Sequence, residues 1–326
     1  MRYKKTFPAF FMVYLFSFSC EKNPTESTWK VPELTTSEVT DIGATSVTCG
    51  GTIISDGGAT ITARGVCWST SQKPKVSDNK TSDGTGADSF TSEITGLRAG
   101  TTYYVRAYAT NSTGTGYGGI IQFTKHEIGT VTDIDGNMYR TVRIGSQWWM
   151  AENLKVTHYQ NGDALPNVTD NAAWFWLNSG AYCNYGNNAT NSDTYGRLYN
   201  WYAVHDYRNI APIGWHVPSD VEWQIMVNYF LGGDEVAGGK LKEIGTTHWN
   251  SPNYGATNES GFSALPGGER DLGGSYYYIG ENGYWWSFTE DDKNCASQIA
   301  LYYSSSFIWY WSDFKQDGFS VRCVKY

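Results

Sequence analysis

The chain has little positive charge, few histidines and no cysteine or histidine pair at metal-ligand spacing. Its 326 residues carry 24 Lys and Arg against 32 Asp and Glu, a formal net charge of −8. No basic patch stands out, so a nucleic-acid partner is not expected. The five histidines are scattered, with no H-x-x-x-H and no C-x-x-C, which argues against a zinc site. Beyond the N-terminal segment no apolar run reaches the roughly 20 residues that a bilayer span needs. Tandem repetition is also absent. What the chain does have is aromatic side chains, 16% of the total, together with 36 glycines. That combination suits a β-rich, loop-rich fold with binding surfaces and little helix.

The N-terminus reads as a processing signal. Arg2, Lys4 and Lys5 precede an apolar run from Phe7 to Phe18, and Ser17-Phe18-Ser19-Cys20 follows. A Cys after such a run resembles a bacterial lipoprotein box, which makes Cys20 the expected lipidation site and residues 1–19 the signal peptide. The alternative is an ordinary cleavage site with an incidental Cys. Residues 20–33 read as a tether. The expected location is the outer membrane at the cell surface, held through a lipid anchor. Five cysteines remain after Cys20, an odd number, so at least one stays free or pairs between molecules.

Residues 34–125 form a first module. Thr45 to Cys49 and Thr60 to Trp68 are strand-like, with a turn at Gly57-Gly58. Tyr103, Val105, Ala107 and Ala109 alternate with period two. The pattern resembles a fibronectin type III-like all-β sandwich, in which Leu97 and Tyr103 match the corner where a tyrosine hydroxyl ties down a loop. Cys49 and Cys67 are either a bridge or two buried thiols. The expected role of this module is that of a spacer.

Residues 126–326 form the second domain, which holds twelve of the 14 tryptophans. Ser219 and Glu222 make a capping box behind Pro218, and Asp220 and Glu222 place negative charge in the first turn. The spacing predicts a helix with an apolar face of Val221, Ile225, Met226 and Tyr229, ended by Gly232-Gly233. Val236 to Glu243 reads as a second short helix, weakened by Gly238-Gly239. The C-terminal part reads as β-strands.

Motifs spread over this domain are Asp135-Gly136-Asn137, Trp149-Met150-Ala151-Glu152-Asn153-Leu154, Tyr199 to Ala203, Gly214 to Trp223, Leu265 to Gly268, Tyr284 to Ser287 and Gly318 to Val324. Together they resemble the Fibrobacter succinogenes major paralogous domain, a bacterial surface-protein family. More distantly, the capped helix and the closing Gly-Phe-Ser-Val-Arg-Cys-Val are similar to the C-type-lectin-like and formylglycine-generating-enzyme fold. The resemblance implies a loop-rich α+β domain and, from two motif cysteines, a Cys183–Cys323 bridge. It does not imply an oxidase, because the required nearby cysteine pair is missing.

The strongest binding signal is aromatic. Phe307, Trp309 and Trp311 alternate with Ile308 and Tyr310, so the two sets lie on opposite faces of a strand. The expected ligand surface is Trp309 and Trp311 with Tyr302 or Tyr303, facing a glycan or another surface ligand such as a protein. The competing reading buries both faces in an aromatic core. Glu290-Asp291-Asp292 with Asn294, and Asn258-Glu259, are either calcium ligands or solvated turns; otherwise no cofactor and no catalytic residue is expected. A cell-surface binding protein is the leading reading. An exported enzyme on the formylglycine-generating scaffold and an architectural envelope protein are the alternatives.

Overall fold

The computed structural model describes residues 29–40 and 46–326. Cys20 and the signal segment lie outside the described residues. The chain is mostly β, with short helices.

The first eight strands are β1 (Glu33–Thr36), β2 (Val47–Ser55), β3 (Ala63–Ser69), β4 (Asn79–Lys80), β5 (Phe90–Ile94), β6 (Thr101–Asn111), β7 (Gly114–Tyr117) and β8 (Ile121–Lys125). One sheet has the order β1-β2-β5; the other runs β4-β3-β6-β7, with β8 also paired to β6. Inward residues of both sheets, among them Val47, Ile94, Val66, Val105 and Ala107, share one core. The period-two pattern of β6 is what fills it. At the corner before β6 the Arg98 N–H donates to the Tyr103 hydroxyl at 3.0 Å.

Twelve more strands follow: β9 (Ile128–Thr132), β10 (Met138–Ile144), β11 (Gln147–Met150), β12 (Tyr182–Cys183), β13 (Leu198–Tyr199), β14 (Trp215–His216), β15 (Gly267–Arg270), β16 (Tyr276–Ile279), β17 (Asn282–Glu290), β18 (Cys295–Tyr302), β19 (Ile308–Phe314) and β20 (Val324–Lys325). They build a sheet ordered β14-β20-β11-β10-β9, a second ordered β16-β15-β17-β18-β19, and the β12-β13 pair. Five helices are interleaved: α1 (Asn171–Phe175), α2 (Asn191–Tyr195), α3 (Trp201–Val204), α4 (Asp220–Tyr229) and α5 (Asp234–Leu241).

Indole N–H groups lock this domain together. Trp286 donates to the Tyr199 carbonyl at 2.7 Å, Trp201 to the Ser287 carbonyl at 3.0 Å and Trp249 to the Ala264 carbonyl at 2.9 Å. Each indole thus fills core volume and also finds a backbone acceptor for its own N–H, which would otherwise be buried unpaired. Arg270, fully buried, donates to the Gly274, Val168 and Thr169 carbonyls and to Asn171 Oδ1, and its guanidinium lies over Trp174. The long loops of residues 157–195 are held by such contacts.

The start of α4 is as expected. The Ser219 N–H and hydroxyl both donate to Glu222 Oε2 at 2.8 Å, and Glu222 Oε1 pairs with His216 Nε2 at 2.6 Å. His216 also stacks on Tyr326, so its role is structural. The apolar face is a correction. Trp223, Met226 and Val227 are buried, followed by Phe230, whereas Val221, Ile225 and Tyr229 are exposed. Apolar residues lie nearly all round this helix, and Trp223, with the largest area to bury, decides which side faces the core.

The disulfides are corrected too: all five described cysteines are free. Cys49 points into the sandwich core, but Cys67 sits between Val66 and Trp68, the two residues of β3 that face that core, so its thiol is on the outer face. Cys183 packs with Trp174, Ala181 and Leu198, while Cys323 belongs to a different cluster around Tyr139 and Phe319. Burial pushes the Cys49 thiol up to about 11, and it raises those of Cys183 and Cys323, which suits inert core residues.

Candidate functional site

β19 is the edge strand of its sheet, and its register against β18 sets the surface. Trp309 lies opposite Ala300, Trp311 opposite Gln298 and Asp313 opposite Ala296. Trp309 thus has the small Ala300 as its neighbour on β18, which leaves that side of its ring uncovered. Phe307 and Trp309 have centroids 5.7 Å apart, Trp309 and Trp311 6.1 Å apart with only 12° between planes, and Tyr302 stacks on Trp309 at 6.1 Å. Trp309 is 36% and Trp311 51% exposed. The row from residue 307 to 311 spans about 13 Å at the usual strand rise. It continues through Tyr302 to Tyr284 and Tyr278 at centroid spacings of 6.4 and 6.5 Å.

Tyr303 is not part of this row. It is next to Tyr302 on the same strand, so it faces the other side, against the core containing Ile308 and Trp285. Tyr276 turns instead toward Tyr185 and Arg270. The opposite face of β19 is not fully covered either, since Tyr310 is exposed and its hydroxyl approaches Asp234 of α5 at 3.4 Å.

The turn before β19 is fixed from below by Lys242. Its fully buried ammonium donates to the carbonyls of Tyr254, Tyr302 and Ser305 at 3.0, 2.9 and 2.8 Å. Burial pushes this lysine down to about 8. Ser306 is tied to α5 through Oγ to the Glu235 carbonyl and through its own carbonyl from the Gly239 N–H. The aromatic row therefore stands on a rigid support.

A group of acceptors that sequence reasoning missed lies at the lower end of the row. Asp313 extends the Trp309–Trp311 face by one step of the alternation. Asp317, in the turn after β19, is brought beside β15 by the Arg270–Gly318 bridge, and Glu269 of β15 lies within electrostatic reach of it. Burial, with Asp313 and Asp271 nearby, pushes Glu269 up to about 7. Burial, with Asp313 and Glu269 nearby, pushes Asp317 up to about 8. Asp313 is also raised by burial. Gln298, 1% exposed, donates from Nε2 to Asp313 Oδ2 at 3.1 Å, and its Oε1 has no partner.

The acidic turn proposed for calcium spends its oxygens locally. Asp292 Oδ1 accepts from the Asn294 and Cys295 N–H groups, and Glu290 pairs with Lys315. Asn258 is occupied with Ser263. Among the described residues no three His, Cys, Asp or Glu converge as a metal site. A separate cavity of about 620 Å³ lies between the two modules, lined by Val39, His126, Ile128, Val142, Ile244 and Gly261. Residues 41–45, which follow its Val39–Thr40 wall, lie outside the described residues, so the aromatic row is the better-defined site.

The family model of the Fibrobacter succinogenes major domain matches residues 142–325, more than half of the chain. The chain belongs to that family. The Fibrobacter domain so matched contains the whole aromatic row, the capped helix α4 and the acceptor group. No curated protein matches the chain. Among solved structures, the twitchin kinase region from C. elegans is similar at 19% identity and a TM-score of 0.23, over 33% of this chain and 19% of that one. At that score the likeness carries no argument about the Fibrobacter domain or the module before it.

Proposed function

We propose that this chain is a binding protein of the outer-membrane surface, anchored by a lipid on Cys20. In this reading residues 34–125 are a fibronectin type III-like spacer, and residues 126–326 are a C-type-lectin-like domain that takes a glycan on the Trp309–Trp311 row. The observation that carries the reading is the row itself. Four aromatic rings stack in one row, half-buried Tyr302 at the end of β18 and solvent-exposed Phe307, Trp309 and Trp311 at and just before the edge strand β19. Flat apolar faces with polar neighbours suit sugar rings, whose C–H faces stack while their hydroxyls seek partners. The spacer reading is supported by the two-sheet strand order and the Tyr103 corner. The anchor rests on the sequence Ser17-Phe18-Ser19-Cys20.

The test is binding of the full chain to a panel of immobilised polysaccharides, alongside Trp309→Ala and Trp311→Ala. Both substitutions are expected to abolish binding while moving stability by no more than about 0.5 kcal/mol, as at other surface positions. A loss of roughly 3–5 kcal/mol at both positions, the range for buried aromatics, would instead make them core residues and overturn the site. Mass spectrometry of the native N-terminus tests the anchor: an unmodified Cys20 sinks it.

A further inference from the structure

β19 ends its sheet with an edge that the fold leaves open. The Lys315 N–H donates to the Asn294 carbonyl at 2.9 Å, one step beyond the Cys295–Phe314 pair, and so extends the register of β18 against β19. In an antiparallel ladder, hydrogen-bonded pairs alternate with unbonded ones. Asp313, Trp311 and Trp309 therefore bond to β18, while Ile308, Tyr310 and Ser312 aim their N–H and C=O groups away from the sheet. Cys295 fits this alternation, because its carbonyl turns to the Asp291 and Asp292 N–H groups on the β17 side. Among the described residues no strand, loop or side chain meets the outward groups of Ile308, Tyr310 and Ser312.

Edges of this kind are ordinarily blunted by a short strand, a bulge, a lysine, a proline or a covering element. The far edge of the same sheet is blunted: β16 has only four residues, and Tyr278 within it takes a φ of 65°. β19 has seven residues, Ile-Trp-Tyr-Trp-Ser-Asp-Phe, with no lysine, proline or glycine, and its register with β18 is unbroken. Helix α5 is bonded to the turn before the strand, through Ser306, and to the Tyr310 hydroxyl, which projects from a face and not from the edge.

The strand is also complementary to itself. Turned about a two-fold axis through Tyr310, a second β19 pairs Tyr310 with its own copy, Ile308 with Ser312, and Ser312 with Ile308. All three positions carry outward backbone groups, and each pair exchanges two hydrogen bonds. The same register sets Trp309 opposite Trp311 of the second copy, and Trp311 opposite Trp309. These are the closely spaced unbonded positions, where aromatic cross-strand pairs stabilise a ladder. Asp313 is the strand's one charge. It falls opposite Phe307 of the second copy, so the two carboxylates stand at opposite ends of the ribbon. The antiparallel turn likewise carries the two α5 helices, each beside its own Ser306, to opposite ends. A two-fold contact of this kind closes on itself, which stops assembly at two chains.

We propose that β19 pairs with β19 of a second copy of this chain, joining the two sheets into one through an isologous dimer. The inference stands on the edge and is independent of the glycan reading. Edge pairing covers neither face of the sheet, so the two aromatic rows meet across the axis with their face still open.

Light scattering and residue-level amide exchange test this on the full chain carrying Cys20→Ala, which removes any lipid-driven association, with the thiols kept reduced. The mass should rise with concentration to twice that of one chain. In the dimer the Tyr310 and Ser312 amides should exchange at least about tenfold more slowly than in the dilute monomer, while those of Trp309 and Trp311, bonded to β18, are protected in both. Ser312→Pro removes one outward N–H, a change that an edge strand tolerates, and should give a monomer with the melting curve of the dilute parent. Tyr310→Lys, which sets two ammonium groups against each other at the axis, should do the same, and it decides the matter if the proline variant does not fold. A chain that stays monomeric up to about 0.1 mM overturns the proposal. So does a dimer that survives in a folded variant, or one whose Tyr310 and Ser312 amides stay fast. Slow exchange of those amides in a monomer would mean that another segment of the chain covers the edge, and it excludes the second copy equally.

Discussion

Arg322 Nε donates to Asn153 Oδ1 at 2.8 Å, although 169 residues separate them in the chain. The same oxygen accepts from Trp285 Nε1 at 2.9 Å, and Asn153 Nδ2 donates to the Tyr195 carbonyl. Arg322 further donates to the Phe262 and Ser263 carbonyls. One asparagine side chain thus joins three of the motifs by which the family resemblance was recognised.

That junction gives the first prediction. Asn153→Ala removes the acceptor of a buried guanidinium and a buried indole together. The expected cost is about 2–4 kcal/mol, from leaving two buried donors, one of them on a charged group, without their acceptor. Urea unfolding of the full chain, followed by tryptophan fluorescence, measures it. A loss under about 1 kcal/mol would show that water or a neighbour replaces Asn153 readily.

Gly238 gives the second. A helix interior normally favours Ala over Gly by up to about 1 kcal/mol. At this position of α5 a Cβ would collide with the Phe307 carbonyl oxygen, at the turn that leads into the aromatic row. Gly238→Ala is therefore expected to destabilise, against its helix propensity, and to weaken ligand binding by shifting Phe307 and Trp309. A stabilised variant with unchanged binding would mean that α5 does not hold the turn.

The third concerns the α4 cap. Ser219→Ala removes the hydroxyl that donates to Glu222 Oε2 but leaves the backbone N–H and His216 on the carboxylate. The loss should be about 1 kcal/mol, as for other N-caps. Thermal melts of the two proteins compare them; an unchanged midpoint would show that the remaining two contacts suffice.

Local chemistry was legible in the sequence wherever the signal is periodic or adjacent. The Ser219–Glu222 box, the alternation of β6 and the split of Trp309 and Trp311 from Ile308 are all of this kind. Alternation, pressed further, also carries what was missed. Cys67 between Val66 and Trp68 is on the wrong face to meet Cys49, Tyr303 is on the wrong face to join Tyr302, and Asp313 is two residues on from Trp311. Glu269 and Asp317 were not legible as neighbours, because only the Arg270–Gly318 bridge brings the turn after β19 beside β15, and no local pattern encodes a long-range bridge. The buried face of α4 failed for another reason: periodicity cannot choose a side when apolar residues surround the helix.

The last prediction is a pH dependence. Glu269 and Asp317 are held at about 7 and about 8, first by burial and then by nearby carboxylates, Asp313 and Asp271 for Glu269 and Asp313 and Glu269 for Asp317. In the unfolded chain they fall back to about 4. Between about pH 4 and pH 8, then, the folded protein keeps protons that the unfolded chain has released, and stability must fall as pH rises. The slope is at most about 1.4 kcal/mol per pH unit for each proton retained. Below that window both states are protonated and the contribution is full and flat. Asp317→Asn deletes one retained proton and leaves Glu269, whose shift comes from burial, Asp313 and Asp271, in place. The variant should match the parent at the acid end of the window and exceed it at the alkaline end. Urea midpoints measured across the window decide the matter: a parent midpoint that rises with pH, or an Asn variant with the parent's slope, would mean that these carboxyls are solvated and the acceptor group is open water.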